Sequence, residues 1–331
     1  MTGVTDVIDV TGVIDVIFVL HTAWIPLLVP FLVSPAGKRL ASNLPPRQAM
    51  WLLTATAAGL AAASTCALAL LIVPGATHLH VVAALGDLLT PLSSGSPDSV
   101  IATAVTAAAL LVWCTARLVR GVRRRWTQLR HAGRLAAEAD GELVVLPDEH
   151  PDAYALPGTP GRIVVTTGML RALSAPEREV LLAHERAHLR ERHHLFTAVV
   201  DLAGLCHPAL RTLREPLAYA LERSADEAAA GAVGSRRLTA RAIGRAALAT
   251  RSSAAAVRTR PASALSATAG PVPRRVAALL GHGAEDRMAR HLARRAAALV
   301  LVACLALSAG ASLQAADNLH DGIEVAQGET R

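Results

Sequence analysis

Two histidines and a glutamate near the middle of the chain have the spacing of a zinc site. His184, Glu185 and His188 lie in the segment LLAHERAHL and form the pattern H-E-x-x-H. Side chains four residues apart share one face of a helix, so both imidazoles can bind one Zn²⁺ while Glu185 lies beside it. Zinc lowers the pKa of a water molecule towards about 7 and polarises a peptide carbonyl, and a neighbouring carboxylate can take the proton. The pattern therefore predicts zinc-dependent peptide hydrolysis with Glu185 as the general base.

A catalytic zinc ion needs a third protein ligand, and one candidate follows in the same segment. His194 lies six residues after His188, which is the metzincin spacing, but Glu191 replaces the glycine that breaks the helix in that motif. On a continuous helix His194 would lie about 9 Å further along the axis than His188. We therefore expect His194, and His193 with it, to be solvated or core residues rather than ligands.

The second candidate is Glu222, in the segment YALERSADEAA, one helical hairpin after the H-E-x-x-H motif. A carboxylate from a neighbouring antiparallel helix would complete a site of two histidines and one glutamate. Asp226 lies four residues later on the same helix face, where it can accept the ring N–H of a ligating histidine. We favour this arrangement over a solvated acidic face paired with Arg223 or Arg214.

The elements that position these residues form a mainly helical, α+β unit. Ser174 and Glu177 make an S-x-x-E capping box, which predicts a helix from about 175 to beyond 195. A second helix is predicted over about 215–231. Three short β-favouring runs before them predict a small sheet with a hairpin. These runs are residues 142–147, 153–158 and 161–167.

The rest of the chain is too apolar for an ordinary soluble protein. Of its 331 residues, 52% are apolar and 18% are charged, and four cysteines are too few to staple such a chain. Four apolar runs are long enough to cross a bilayer, which takes roughly 17–25 helical residues. They are residues 16–33, 50–73, 99–119 and 296–313, of which the first is interrupted by His21, Pro26 and Pro30. The sequence therefore predicts a multi-pass α-helical membrane protein with four spans.

Loop charges predict the orientation of these spans, because Lys and Arg collect in short cytoplasmic loops. Basic residues follow the first and third spans and precede the fourth, whereas the other loops carry only acidic charges. The basic positions are Lys38, Arg39, Arg47, Arg117, Arg120, Arg123, Arg124, Arg125, Arg287, Arg290, Arg294 and Arg295; the acidic ones are Asp6, Asp9, Asp15, Asp87 and Asp98. We therefore expect both termini outside the cell membrane, with no cleavable signal peptide.

This topology predicts a division of the chain into four parts. They are a membrane region at 1–119, a cytoplasmic zinc peptidase domain at 120–295, a fourth span at 296–313 and a short extracytoplasmic tail at 314–331. The net charge of +7 is explained by the basic cluster after the third span, which orients the protein and faces anionic lipid. The expected partners are therefore the lipid bilayer and a protein or peptide substrate, with no direct binding of nucleic acid.

Three segments resemble a known group of membrane peptidases. They are AYALPGTPGRIVVTTGML, LSAPEREVLLAHERAHLRERHH and ALERSADEAAA. Over about 120–235 the chain is similar to the gluzincin core shared by HtpX-like membrane proteases and the BlaR/MecR antibiotic-sensor family. The residues to which the resemblance assigns roles are the zinc ligands His184, His188 and Glu222, the base Glu185 and the supporting Asp226. It also implies that the strand near 153–157 is a sheet edge to which a substrate can be added as a further strand.

Three spans before the peptidase segment and one after it match the layout of the sensor family. That family carries a large penicillin-binding domain after the last span, whereas about 18 residues without an S-x-x-K motif follow it here. We therefore expect a shorter form, a protease that cuts a cytoplasmic transcriptional repressor or itself. The alternatives are HtpX-like quality control of membrane proteins, a non-catalytic scaffold in which zinc joins two helices, and a membrane-tethered DNA-binding regulator.

Three further questions stay open in the sequence. A fourth ligand from Cys206 or His207 would indicate a structural rather than a catalytic zinc site. The candidates for stabilising an oxyanion are His193, His207 and Tyr219. The pairs Arg236-Arg237 and Arg274-Arg275 are either self-cleavage points or solvated basic residues, and the stretch 250–275 is expected to be a mobile connection.

Overall fold

The computed structural model describes residues 22–79, 82, 84, 97–138, 141–252, 265–266, 272–281 and 287–327. Its helices are α1 (Val33–Asn43), α2 (Pro46–Ala76), α3 (Pro97–Glu138), α4 (Thr167–Ala172), α5 (Ala175–Arg190), α6 (His193–Cys206), α7 (Arg214–Val233), α8 (Arg236–Ser252), α9 (Val272–Leu279) and α10 (Arg287–Ala326). The start of the predicted first span, with His21, and most of the predicted connection 250–275 lie outside the described residues.

Three helices are long and apolar enough to cross a membrane, namely α2, α3 and α10. They contain the predicted spans 50–73, 99–119 and 296–313. In the described part of the predicted first span, residues 22–28 are helical and Val29–Leu32 form a 3₁₀ turn that leads into α1. Pro30 lies in this turn, and proline cannot donate the backbone hydrogen bond that a regular helix needs. The described residues therefore contain three candidate spans.

Helix α3 contains the predicted third span, 99–119, and continues without a break towards the peptidase segment. It is 42 residues long and includes both the apolar run 99–119 and the basic stretch that follows it. Gly141, just beyond its end, has a φ of +77°, a conformation that glycine adopts without steric cost. The apolar run and the basic stretch after it therefore form one continuous helix.

The described residues include a four-stranded sheet with the strand order β1 (Leu143–Leu146), β3 (Arg162–Thr166), β2 (Ala153–Leu156) and β4 (Leu265–Ser266). The first three strands precede the metal-binding helices in the chain, and β4 follows them. The predicted hairpin is the antiparallel pair β2–β3, and β1 runs parallel to β3. On its other side β2 pairs with β4, with Tyr154 opposite Ser266 and Ala155 opposite Leu265. The expectation of a free edge near 153–157 is therefore wrong at these two residues, because a later segment of the same chain uses their hydrogen-bonding side.

Helix α5 begins as predicted but ends earlier than expected. The Glu177 carboxylate accepts hydrogen bonds from the backbone N–H (2.9 Å) and hydroxyl (2.7 Å) of Ser174, so the capping box forms. The helix ends at Arg190 rather than beyond 195, and Arg192 adopts the left-handed conformation with a φ of 52° before α6 begins. That conformation costs about 1–2 kcal/mol. The cost is offset because the turn lets the apolar α6 pack against α2.

One hydrophobic core joins the membrane helices to the helices of the peptidase segment. Its fully buried side chains include Leu40 of α1, Leu53 of α2, Val200 of α6, Leu217 of α7 and Leu301 of α10. At the rim of this core Trp51 meets the Phe196 ring edge-on, with the ring centroids 4.8 Å apart. Helix α7 packs against α1 and α2, α6 packs against α2, and α10 packs against α1 and α2.

Candidate metal centre

Helices α5 and α7 bring His184, His188 and Glu222 together in the interior. The two histidine Nε2 atoms are 3.1 Å apart. Glu222 Oε2 is 3.6 Å from His184 Nε2, and Glu222 Oε1 is 3.5 Å from His188 Nε2. None of the three side chains is more than 3% exposed. Two helices thus present three ligand atoms to a single buried point.

The donor set fits a zinc ion. Tetrahedral zinc with bonds of about 2.0–2.2 Å separates its ligand atoms by about 3.3–3.6 Å, close to the three distances found here. Within the described ranges, these three residues are the only group of three or more His, Cys, Asp or Glu side chains that could hold a metal ion. Neither Cys206 nor His207 belongs to the group. Three protein ligands leave a fourth position open, which is the pattern of a catalytic site.

Asp226 lies behind His184, on the side away from the ligand atoms. Its Oδ1 is 3.1 Å from His184 Nδ1, close enough for the ring N–H to donate to the carboxylate. Such a contact fixes the ring so that Nε2 is free for the metal. The structure thus places Asp226 within ion-pair distance of a candidate metal ligand.

Arg275 of α9 joins the two carboxylates of α7, and the sequence reasoning missed it. Its Nε and Nη2 donate to Asp226 at 2.7 and 2.6 Å, and its Nη1 lies 2.8 Å from Glu222 Oε2. The side chain is 0% exposed. The expectation of a solvated or cleavable Arg274-Arg275 pair is therefore wrong for Arg275, because its guanidinium is enclosed by carboxylates.

The alternative, in which the acidic face of α7 is solvated and paired with Arg223 or Arg214, is also wrong. Arg223 Nη1 donates to the backbone carbonyl of Ala41 at 3.0 Å, and Arg214 binds Asp201. Two carboxylates buried one helical turn apart repel each other and are costly without a cation. Arg275 supplies that cation, and a guanidinium can bind a carboxylate through two parallel hydrogen bonds.

His193 contacts a metal-binding histidine, a contact that the sequence analysis did not predict. The sequence analysis expected a solvated or core residue or an oxyanion-stabilising group, whereas its Nδ1 is 2.8 Å from Nδ1 of His188, and its ring is 0% exposed. Its Nε2 is 3.2 Å from Glu191 Oε2, which also accepts a hydrogen bond from Ser224 Oγ at 3.0 Å. The turn at Arg192 directs His193 towards His188. His194 instead lines a separate surface cavity.

The surroundings shift the pKa values of His184 and His188 in opposite directions. Burial lowers the pKa of His184, but hydrogen bonds and charge from Asp226 and Glu222 outweigh burial and raise it to about 10. Burial also lowers the pKa of His188, and the positive charges of the neighbouring histidines and Arg275 lower it further. The two carboxylates therefore favour the protonated ring at His184, whereas burial and the neighbouring positive charges favour the neutral ring at His188.

The other predicted residues lie at defined places. Glu185, between the two histidines of α5, is 0% exposed. His207 Nε2 lies 3.0 Å from the backbone carbonyl of Leu27, to which it can donate. Tyr219 is buried in the core, with the Arg274 guanidinium 4.6 Å from its ring centroid.

Comparisons with known proteins point to the same part of the chain. The family model described as Peptidase family M48 matches residues 122–213. A relative named Protease HtpX homolog from Thermodesulfovibrio yellowstonii is 35% identical over 77 residues, covering 22% of this chain and 27% of that protein. One of the same name from Methanocaldococcus jannaschii is 29% identical over 132 residues, covering 38% of this chain and 44% of that protein. No solved structure gives a significant match.

The chain thus spans less than half the length of these two curated relatives. The M48 match includes both histidines of the motif and ends before Glu222, which the tertiary structure adds to them. The segment similar to the M48 model thus supplies two histidines of a buried triad that could hold a metal ion, in a chain with three helices long and apolar enough to cross a membrane.

Proposed function

We propose that the chain works as a membrane-anchored zinc endopeptidase that cleaves cytoplasmic protein substrates. The observation that carries this proposal is the buried triad of His184, His188 and Glu222, with the carboxylate of Glu185 next to the first ligand in sequence. A scaffold that used zinc only to join helices would favour a fourth protein ligand. In the described part of the chain, three protein ligands meet at this site.

In this proposal the two histidines and Glu222 hold Zn²⁺, which supplies Lewis acidity towards a water molecule and a peptide carbonyl. The Glu185 carboxylate accepts a proton from the attacking water and passes it to the nitrogen of the departing amine. Burial of Glu185 excludes bulk water, so this proton stays within the site. Asp226 holds His184 in the tautomer that leaves Nε2 free.

Arg275 and His193 act through other residues rather than on the substrate. Arg275 fixes the Glu222 carboxylate and balances its charge together with that of Asp226. His193 holds the ring of His188 from behind. Both are positioning residues, and both join the site to elements outside the motif, namely α9 and the start of α6.

The proposed topology has four spans, at 16–33, 50–73, 99–119 and 296–313, with both termini outside. It follows from the distribution of Lys and Arg in the loops. Residues 1–119 then form the membrane region, 120–295 the cytoplasmic peptidase domain and 314–331 an extracytoplasmic tail. The shared core of α1, α2, α6 and α7 supports a catalytic segment held against the membrane surface.

Two substrate classes fit this site. Regulatory cleavage of a transcriptional repressor, or of the chain itself, follows from the layout shared with the BlaR/MecR sensors. General proteolysis of membrane proteins is favoured by the similarity to the two HtpX homologues. The pairing of β4 with β2 supports cleavage of the chain by itself, because a segment of this chain already adds a strand to the sheet beside the metal-binding helices.

A survey of new protein N-termini in cells tests the proposal. Cells with the wild-type chain are compared with cells that carry Glu185→Gln, and Glu179→Gln on the exposed face of α5 serves as the matched control. Termini made by wild type and Glu179→Gln but not by Glu185→Gln would establish proteolysis. One soluble repressor among them indicates signalling, and many membrane proteins indicate quality control. Identical termini in all three strains, under conditions where zinc is bound, would contradict the proposal.

A further inference from the structure

A cavity of about 430 Å³ lies between α3, α6 and the start of α7, away from the metal centre. Five arginines and one aspartate give it its charge. The arginines are Arg117, Arg120, Arg124, Arg125 and Arg214, and the acid is Asp201. The cavity is therefore strongly cationic.

Asp201 neutralises only part of this charge. It binds Arg125 directly, and its Oδ1 lies 2.6 Å from Nε of Arg214. Among the residues that the structure describes, no carboxylate forms an ion pair with Arg117, Arg120 or Arg124. Arg120 Nε donates to the backbone carbonyl of Ala116 at 3.1 Å, and the charge of these three guanidinium groups can attract an anion.

The wall opposite these groups is apolar. Leu202 and Leu205 of α6 line the cavity next to Gly121 of α3. The helices touch here, because a Cβ on Gly121 would lie 2.4 Å from Leu205 Cδ1. A cationic rim beside an apolar wall matches the two ends of a phospholipid, whose headgroup is charged and whose chains are not.

The depth of the cavity agrees with this match. Arg117 lies near the C-terminal end of the apolar run 99–119, which is its cytoplasmic end in the proposed topology, and its guanidinium stacks 4.5 Å above the ring of Trp113. The Trp113 side chain is 48% exposed, and tryptophan is enriched where helices cross the headgroup layer. If the proposed topology holds, on which this inference rests, the cavity opens near the level of the lipid phosphates on the cytoplasmic side.

We propose that this cavity binds the phosphate of an acidic phospholipid, such as phosphatidylglycerol. Arg120 and Arg124, one helical turn apart on α3, hold the phosphate oxygens, and Arg117 closes the membrane side. The acyl chains run along Leu202 and Leu205. Asp201 keeps Arg125 and Arg214 in place, so that α3, α6 and α7 together frame the site.

Native mass spectrometry of the full-length protein in a neutral detergent tests the proposal by titration with phosphatidylglycerol. Arg124→Gln is compared with Arg123→Gln, which removes the same charge from the same helix at a position that does not line the cavity. A single arginine near a lipid surface contributes about a fivefold change in affinity. We expect about fivefold weaker binding for Arg124→Gln, about 25-fold for Arg120→Gln combined with Arg124→Gln, and little change for Arg123→Gln.

Three results would overturn the proposal. Equal weakening by Arg123→Gln and Arg124→Gln would show general charge attraction instead of a site. Inorganic phosphate that displaces the lipid at equal concentration would assign the cavity to a free anion, and tighter binding of a DNA oligonucleotide than of lipid would assign it to nucleic acid. Phosphatidylcholine, which has no net charge, should bind more weakly than phosphatidylglycerol. Unchanged melting temperature and zinc content in each variant show that the fold is intact.

Discussion

Arg275 and Asp226 form a buried, doubly hydrogen-bonded ion pair directly behind the metal site, with N–O distances of 2.7 and 2.6 Å. The third guanidinium nitrogen of Arg275 lies beside the candidate metal ligand Glu222. One cation therefore contacts both Glu222 and Asp226, which lies next to His184. Breaking a buried pair by removing one partner costs about 3–5 kcal/mol, because the remaining charge is left uncompensated. The stability of the metal site therefore depends on a helix outside the hairpin that carries the motif.

Arg275→Gln should lower both zinc content and thermal stability. The two carboxylates would repel each other, and Glu222 would lose the contact that fixes its orientation. Metal analysis and a thermal melt of the purified protein measure the two effects. Arg274→Gln is the matched control, since Arg274 is exposed and donates to Ser42 Oγ at 2.7 Å. Equal zinc content in the two variants would contradict the role given to Arg275.

Glu185→Gln should keep zinc bound and abolish cleavage. The amide cannot accept a proton from water, and loss of a general base reduces a rate by about 10²–10⁴-fold. The assay is peptide or self-cleavage by the purified protein, with zinc content measured in the same sample. Activity comparable to that of Glu179→Gln would rule out Glu185 as the base.

Glu222→Ala should weaken zinc binding itself, because it removes one of three protein ligands and leaves Arg275 near an empty position. The melting temperature should then no longer rise when zinc is added. Glu227→Gln on the same helix, which removes an exposed partner of Arg236, should bind zinc normally. Unchanged zinc content in Glu222→Ala would refute the assignment of Glu222 as a ligand.

His193→Phe should reduce zinc affinity about 10–100-fold, the usual effect of removing a group that orients a metal ligand. The substitution keeps a planar ring but cannot hydrogen-bond to His188 Nδ1. Competition with a zinc-binding dye gives the affinity, and His194→Phe provides the control on the same helix. Similar affinities for the two variants would mean that the contact with His188 is only packing.

The stability given by Glu177 should be lost in acid. Burial raises the pKa of this carboxyl, but the N–H and hydroxyl of Ser174 and the charges of Arg245 and Arg241 outweigh burial and lower it. Its stabilising effect is therefore complete above the unfolded pKa of about 4.3 and disappears as the pH falls through the lower, folded value. Glu177→Gln should have a free energy of unfolding about 1 kcal/mol below that of wild type at pH 7. The difference should shrink as the pH falls below the unfolded pKa of about 4.3. A constant gap would exclude ionisation as its cause.

Local patterns were enough to predict the ligand pair and the elements around it. The helical period places His184 and His188 on one face of α5, and the capping box fixes where that helix begins. Apolar length alone predicted α2, α3 and α10, because a helix must satisfy its own backbone within a bilayer. These features depend on neighbours in the chain, so they can be read from the sequence.

The contacts that complete the site depend on residues far apart in the sequence. Arg275 reaches Asp226 across 49 positions, and no local pattern distinguishes it from the exposed Arg274. His193 joins the site only because α6 leaves α5 through the left-handed Arg192, in order to bury its apolar face against α2. The pairing of β4 with β2 also joins residues that are more than 100 positions apart, so it depends on the tertiary fold and not on a local pattern. The sequence determined the metal-binding chemistry by itself, and the tertiary structure decided which residues hold the ligands in place, because buried charge and apolar packing are properties of the assembled core.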